Sequence, residues 1–403
     1  MPDAGQGPPR PTVGAIARAH GEAFRRQHAL TEAQRKVLRD VAACRTHVLG
    51  GRVDVCQACG NEELVFHSCR NRHCPACQAL SQARWMEGRL ARLLPTDYFH
   101  VVFTVPDDLL AGLALANREL FFDALFAAGS QTLLALGDDE ARLGAQLAIT
   151  TVLHTWTRDL RFHPHLHCIV SGGGLTRDGQ RWRATRRDYL FPVRVLSALF
   201  RGKLLAILDE AYRAGRLAVA GVEGVGDVAD PDTGWRRLRR KLYRTKWVSY
   251  AKPPFAGAES VYQYLGRYTH RVGLSNHRFV SATDEAVTFR THGEDTATLH
   301  PHEFLRRFLL HVLPPHFVKL RHYGLLAPGN VNGRLATARA ILESAAPALT
   351  PSPETDERVA IQAPSDWRAL LLQLTGIDVS SCRRCGGHLA SRPMRRPSWR
   401  DSS

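Results

Sequence analysis

The chain has 403 residues, 44% of them hydrophobic, enough for two or three domains that each bury a core. Lysine and arginine number 54 against 38 aspartates and glutamates, a formal charge of +16; such a field attracts a polyanion, nucleic acid first and an anionic membrane surface second. No apolar run approaches the roughly 18 residues of a membrane span, and Met1 to Gly14 has no apolar signal core, so a cytoplasmic protein is expected.

Residues 1–14 are Gly/Pro-rich and read as disordered. From Val13 to about Ala43 apolar and charged residues interleave as in helices. Six of the nine cysteines lie between Cys44 and Cys77, and in a basic cytosolic chain such clustering points to zinc rather than disulfides. Cys56-x-x-Cys59 and Cys74-x-x-Cys77 together offer the four thiolates of one structural zinc, with Gly60 and Pro75 suited to the tight turns. Cys44, His67, Cys69 and His73 would hold a second zinc, or else are buried thiols and solvated imidazoles. Arg70 and Arg72 stand beside these ligands, where they would meet phosphate.

His100 to Val105 reads as a strand stopped by Pro106. Leu109 to Leu136 is an apolar helical stretch broken at Gly137-Asp138-Asp139; residues 140–148 look like a second helix, and Ile149 to Trp156 a strand carrying His154. Then comes Phe162-His163-Pro164-His165-Leu166-His167, followed by Cys168-Ile169-Val170, expected to be a strand from just after Pro164. Alternation puts His165 and His167 on one face and Leu166 on the other, so the two imidazoles can share one metal ion. The plainer alternative is a His-rich surface strand. Ser171-Gly172-Gly173-Gly174 should end the strand and let backbone approach closely.

Leu196 to Leu217 is an amphipathic helix, and Gly221 to Gly234 a loop. Residues 235–247 are the most basic stretch: Arg236, Arg237, Arg239, Arg240 and Lys241 are interleaved with Trp235, Tyr243 and Trp247. Cations for phosphates beside aromatic faces for bases suit single-stranded nucleic acid; the alternative is a solvated helix face with core aromatics. Lys252-Pro253-Pro254 is a rigid linker. Glu259 to Val272 places Tyr264 and Tyr268 one helical turn apart, among Arg267, His270 and Arg271, which argue for an exposed face rather than core aromatics. Arg278 to Thr291 reads as a hairpin turning at Asp284-Glu285, His302 to Leu313 as a helix, and Phe317 to Tyr323 as a basic strand. Residues 345–366 form a linker, and Cys382-x-x-Cys385 is half a zinc knuckle with no second pair after it.

A metal held by two imidazoles, a tyrosine pair and a basic surface together suggest phosphodiester chemistry: a divalent ion polarises the phosphate and a tyrosine hydroxyl attacks it. No G-x-x-x-x-G-K-[ST] loop is present, as fits a covalent strand transfer that needs no nucleotide.

His165-Leu166-His167 resembles the HUH motif of rolling-circle endonucleases. Cys44-Arg45-Thr46, the run from Ser68 to Cys77, and Tyr264-Leu265-Gly266-Arg267-Tyr268-Thr269-His270-Arg271 are similar to the two-tyrosine rolling-circle insertion-sequence transposases with an N-terminal zinc domain, over residues 20–345. The resemblance implies an α+β fold: an HUH-type antiparallel-sheet nuclease core flanked by helices, preceded by a zinc-ribbon-like domain. It implies a disordered 1–14, a helical, zinc- and DNA-binding part at 15–95, a nuclease domain at 96–275 ending in the tyrosine helix, a basic α+β part at 276–345 and a linker and variable tail at 346–403. His165 and His167 become ligands of catalytic magnesium or manganese, with His154, His163 or Gln263 as the third ligand. Tyr264 and Tyr268 become nucleophiles that leave a 5′-phosphotyrosine and a free 3′-hydroxyl. Zinc is structural. Arg267 and Arg271 join the basic residues as contacts to single-stranded DNA at transposon ends and target, and the site of action is the bacterial nucleoid. A plasmid replication initiator and a non-catalytic zinc-dependent DNA-binding regulator are the other readings of the same motifs.

Overall fold

The computed structural model describes residues 11–77, 92–186, 188–226, 230–255, 273–345, 372 and 378–394. Two helices open the chain, α1 (Val13–Gln27) and α2 (Glu32–Ala43). Thr31 starts α2 with a reciprocal cap: its hydroxyl accepts from the Gln34 amide while the Gln34 side chain accepts from the Thr31 amide. A hairpin follows, β1 (Gly51–Cys56) and β2 (Glu62–Phe66), pairing Gly51 with Phe66.

Next come β3 (Tyr98–Thr104), α3 (Asp107–Ala116), α4 (Arg118–Asp138), β4 (Gln146–Trp156), β5 (Phe162–Leu175), β6 (Trp182–Ala184), α5 (Val193–Arg213), α6 (Pro231–Arg244) and β7 (Ser249–Phe255). The main sheet runs β11-β4-β5-β3-β7, with β6 paired to β5, and every pairing is antiparallel. β11 (Leu320–Gly324) comes from late in the chain, after β8 (Phe279–Ala282), β9 (Val287–Arg290), β10 (Thr296–Leu299) and α7 (Pro301–Leu310). A further helix, α8 (Arg334–Ala345), and strand, β12 (Leu389–Pro393), follow among the described residues; β12 pairs with β1.

Period-2 alternation divides the main sheet into two unlike faces. Phe99, Val101 and Phe103 of β3, Ile149 and Leu153 of β4, and Leu166, Cys168 and Val170 of β5 face one way, into a core closed by α3, α4, α5 and α6. On the other face, α8 covers one end through Leu335 and Ala338 against Ala148 and Leu175. The other end of that face carries imidazoles.

By length and composition α4 could cross a membrane, which the sequence reading did not anticipate, but 67% of its apolar window is buried in the protein. Phe121, Phe122, Leu125, Phe126 and Leu133 spend that apolar surface on the core.

Three expectations fail locally. Lys252-Pro253-Pro254 is not a linker but lies within β7, where Lys252 pairs with His100 of β3. Residues 140–148 are not a helix: the chain turns at Asp139, whose carbonyl accepts from the amides of Arg142, Leu143 and Gly144, and β4 begins at Gln146. β5 starts earlier than Pro164 and runs through the glycines, because Gly172 and Gly174 let neighbouring backbone close in. A Cβ on Gly174 would sit 2.6 Å from the Gln146 carbonyl, and one on Gly172 3.0 Å from that of Asp97.

The first and last thirds of the chain share a core. Val13, Ile16, Phe24, Val37 and Val41 pack with Leu274, Phe279, Phe289, Phe304 and Phe308. Gln34 Nε2 donates to the Leu309 carbonyl at 3.0 Å, and the Val13 amide to Asn276 Oδ1 at 3.3 Å.

Candidate active site

His165 and His167 project from β5 on the face opposite Leu166, as alternation requires: the imidazoles are half-buried while Leu166 is fully buried. The β4–β5 register sets His154 directly opposite His165. Ring nitrogens of His154, His165 and His167 all lie within 4.8 Å of one another. The His165 and His167 Nε2 atoms are 3.0 Å apart. His165 Nδ1 lies 2.7 Å from the His163 carbonyl, which can only accept, so the proton of the neutral ring sits on Nδ1 and the Nε2 lone pair is free. That lone pair facing a second imidazole nitrogen calls for a proton or a cation between them, and three neutral imidazoles are a donor set a divalent ion accepts.

Electrostatics keep the rings in ligand form. Burial holds His165 down at about 4. His167 lies well below the ordinary imidazole value, through burial first and the neighbouring His154, His165 and His100 next. His100 on β3, which sequence reasoning missed as a site residue, places Nε2 2.8 Å from His167 Nδ1 and is itself lowered to about 3 by burial and by Lys252. Its only signal was its place at the start of a strand that proves to be a neighbour of β5. Of the three proposed third ligands, His154 joins the pair. His163 Nδ1 instead meets Asp107 Oδ2 at 3.0 Å, at the start of α3. Gln263, Tyr264, Tyr268, Arg267 and Arg271 lie outside the described residues.

The cysteines group differently from the sequence expectation. Cys44, Cys69, Cys74 and Cys77 form one set and Cys56, Cys59, Cys382 and Cys385 another, each with its sulfurs within 4.8 Å of one another. The hairpin explains the exchange. Cys56 ends β1 and Cys59 lies in the turn, so β2 carries the chain back over five residues, about 17 Å, before Cys69 is reached. Cys69, Cys74 and Cys77 therefore meet Cys44 at the base of the hairpin, where the Arg45 amide donates to the His67 carbonyl at 3.0 Å. In the first set Cys77 Sγ lies 3.3 Å from Cys44 Sγ and 3.6 Å from Cys69 Sγ. These separations exceed a disulfide's and approach the ~3.8 Å edge of a tetrahedron with ~2.3 Å zinc–sulfur bonds. A structural four-cysteine zinc-binding cluster is thus present.

His67 and His73 join neither cluster. His67 is exposed. Both His73 ring nitrogens are engaged: Nε2 accepts from the Leu313 amide at 3.1 Å, and Nδ1 lies 3.3 Å from Asn71 Oδ1. Burial pushes His73 down to about 3, so it acts as a neutral bridge between chain segments.

The basic stretch forms α6, capped by Asp230, whose carboxylate accepts from the Asp232 and Thr233 amides. Trp235 and Trp247 are buried in the core and unavailable for base stacking; Tyr243 is 44% exposed. Arg236, Arg237, Arg240 and Lys241 are exposed, while Arg239 is half-buried and pairs with the buried Asp209 at 2.9 Å. Arg70 and Arg72 are exposed beside the first cysteine cluster.

Two family models match the chain: one described as "Transposase zinc-binding domain" over residues 16–105 and one described as "Putative transposase" over residues 148–334. The chain is 44% identical over 384 residues to "Putative transposase y4qJ" of Sinorhizobium fredii, covering 93% of each chain. It is 28% identical over 330 residues to "Transposase for insertion sequence element IS801" of Pseudomonas savastanoi pv. phaseolicola, covering 77% of this chain and 74% of that one. No solved structure matches.

Proposed function

The chain belongs to the IS91/IS801-like HUH rolling-circle transposases with an N-terminal zinc-binding domain, and from that membership we propose that it cuts and rejoins single-stranded DNA at the ends of a mobile element through a covalent tyrosine intermediate. The observation that carries this reading is the meeting of His154, His165 and His167 at the end of the sheet face that α8 does not cover.

Those three imidazoles would hold magnesium or manganese, which when bound polarises a phosphodiester oxygen. His100 orients His167 from behind, and the His163 carbonyl orients His165. The hydroxyl of Tyr264 or Tyr268 attacks phosphorus. The bond to the 3′ oxygen breaks, leaving a 5′-phosphotyrosine and a free 3′-hydroxyl; attack by a 3′-hydroxyl on the phosphotyrosine rejoins the strand and frees the tyrosine. Two tyrosines allow two linked cleavages. Arg236, Arg237, Arg240 and Lys241, with Arg70 and Arg72, supply positive charge for the phosphate backbone.

The test is incubation with labelled single-stranded element ends and magnesium or manganese, followed by a denaturing gel. A DNA–protein adduct lost in a Tyr264→Phe/Tyr268→Phe double variant supports the reading. Binding with no adduct on element ends would make the protein a DNA-binding regulator instead, and cutting confined to a plasmid origin would make it a replication initiator.

A further inference from the structure

We propose that Cys56, Cys59, Cys382 and Cys385 form a second structural zinc site, built from the two ends of the chain, which fastens residues 378–394 to the β1–β2 hairpin. It is independent of the cleavage chemistry above. The matched zinc-binding domain ends at residue 105, far short of the second pair.

The two halves are near-copies of one turn. In Cys56-Gln57-Ala58-Cys59-Gly60 the Gly60 amide donates to the Cys56 carbonyl at 2.9 Å, and the Cys56 amide to the Asn61 carbonyl at 2.9 Å. In Cys382-Arg383-Arg384-Cys385-Gly386 the Gly386 amide donates to the Cys382 carbonyl at 2.8 Å, and the Cys382 amide to the Gly387 carbonyl at 2.8 Å. Both turns end on a left-handed glycine, Gly60 at φ 70° and Gly386 at φ 75°. This is the frame of a zinc knuckle, which points two thiolates the same way. The knuckles face each other: Cys56 Sγ lies 3.5 Å from Cys385 Sγ, and Cys59 Sγ 3.8 Å from Cys382 Sγ. Both distances fit the edge of a thiolate tetrahedron, about 3.8 Å, and exceed the ~2.05 Å of a disulfide. The fit is tight. A Cβ on Gly387 would stand 2.7 Å from Ala58 Cβ and 3.1 Å from Cys56 Sγ.

Among the described residues apolar packing supplies little of this attachment. β12 pairs with β1 from Cys56↔Leu389 to Arg52↔Pro393, but β12 and β2 have no buried residue, and Val53 is the one apolar side chain of β1 buried besides Cys56. Polar contacts, such as Ser391 Oγ donating to the buried Asp54 Oδ1 at 2.6 Å, add hydrogen bonds but no apolar burial. A three-stranded sheet with so little core needs a staple, and four thiolates around zinc provide one.

The full-length protein should carry two thiolate-bound zinc ions, and Cys382→Ser/Cys385→Ser one. Replacing zinc by cobalt gives a thiolate-to-metal charge-transfer band, which imidazole ligands do not produce; it should halve in the double variant. A second measurement covers misfolding of that variant. With a protease site placed at residue 360, the severed C-terminal piece should co-elute with the body on gel filtration and separate on adding a strong chelator. One zinc-bound cysteine set in the wild type, a band unchanged by the double substitution, a fragment that falls away with zinc still present, or intact masses showing disulfides at these four cysteines would each overturn the proposal.

Discussion

His167 Nδ1 and His100 Nε2 lie 2.8 Å apart across neighbouring strands, with the rings stacked 8° from parallel. A ring that offers one nitrogen to a metal is fixed in tautomer and direction by what the other nitrogen meets. His100→Ala should therefore weaken Mn²⁺ binding by about 10–100-fold, measured by calorimetry, without touching the ion. An unchanged affinity would reduce His100 to packing.

His165→Ala and His167→Ala should abolish cleavage while leaving DNA binding in a gel-shift assay largely intact. His154→Ala should behave alike. His163→Ala loses its contact with Asp107 and the ring contact with His165, but no nitrogen of the three-imidazole cluster, and should cut within a few-fold of wild type. Equal losses in His163→Ala would return it to the ligand set.

On α6 the arginines divide by what they already touch. Arg237→Ala, Arg240→Ala and Lys241→Ala should each lower single-stranded DNA affinity and reduce the salt slope by about 0.7. Arg239→Ala should instead lower stability, by about 1–3 kcal/mol, because Asp209 beneath it is buried and also accepts from Trp235 Nε1 at 3.0 Å. Urea melts and binding isotherms on the same four variants separate the two classes.

His311 gives the protein an acid limit. It is buried, with Nε2 donating to the Leu160 carbonyl at 3.1 Å and Nδ1 accepting from the Thr155 hydroxyl at 3.2 Å, a pattern only the neutral ring satisfies. Burial lowers it to about 4, against about 6.5 in an unfolded chain. Between those values the unfolded chain binds the extra proton, so stability is intact above pH 6.5 and falls as pH drops toward 4. This one group contributes about 3 kcal/mol to the loss. His311→Gln should flatten that part of the pH profile in denaturant melts.

That His165 and His167 share one face was legible because a two-residue period is local: Leu166 down and the two imidazoles up needs no knowledge of the rest of the chain. His154 could be named but not chosen over His163, since the choice depends on the β4–β5 register. The zinc assignment failed for the same reason on a larger scale. Adjacent C-x-x-C pairs look like partners in a line of text, but a hairpin between them returns the chain to its start and leaves Cys56 and Cys59 facing residues more than 320 positions away. The glycine run of β5 was misread because backbone approach by β4 favours the very residues that weaken an isolated strand.

The core shared by Val13, Phe24, Phe304 and Phe308 governs how the gene can be dissected. A boundary drawn after residue 95 would split this core and expose Val13, Phe24, Phe304 and Phe308 to water, while leaving the core of the main sheet whole. The contributions of the N-terminal helices and of the imidazole-bearing sheet are therefore to be separated by single substitutions, since the two ends of the chain line one core.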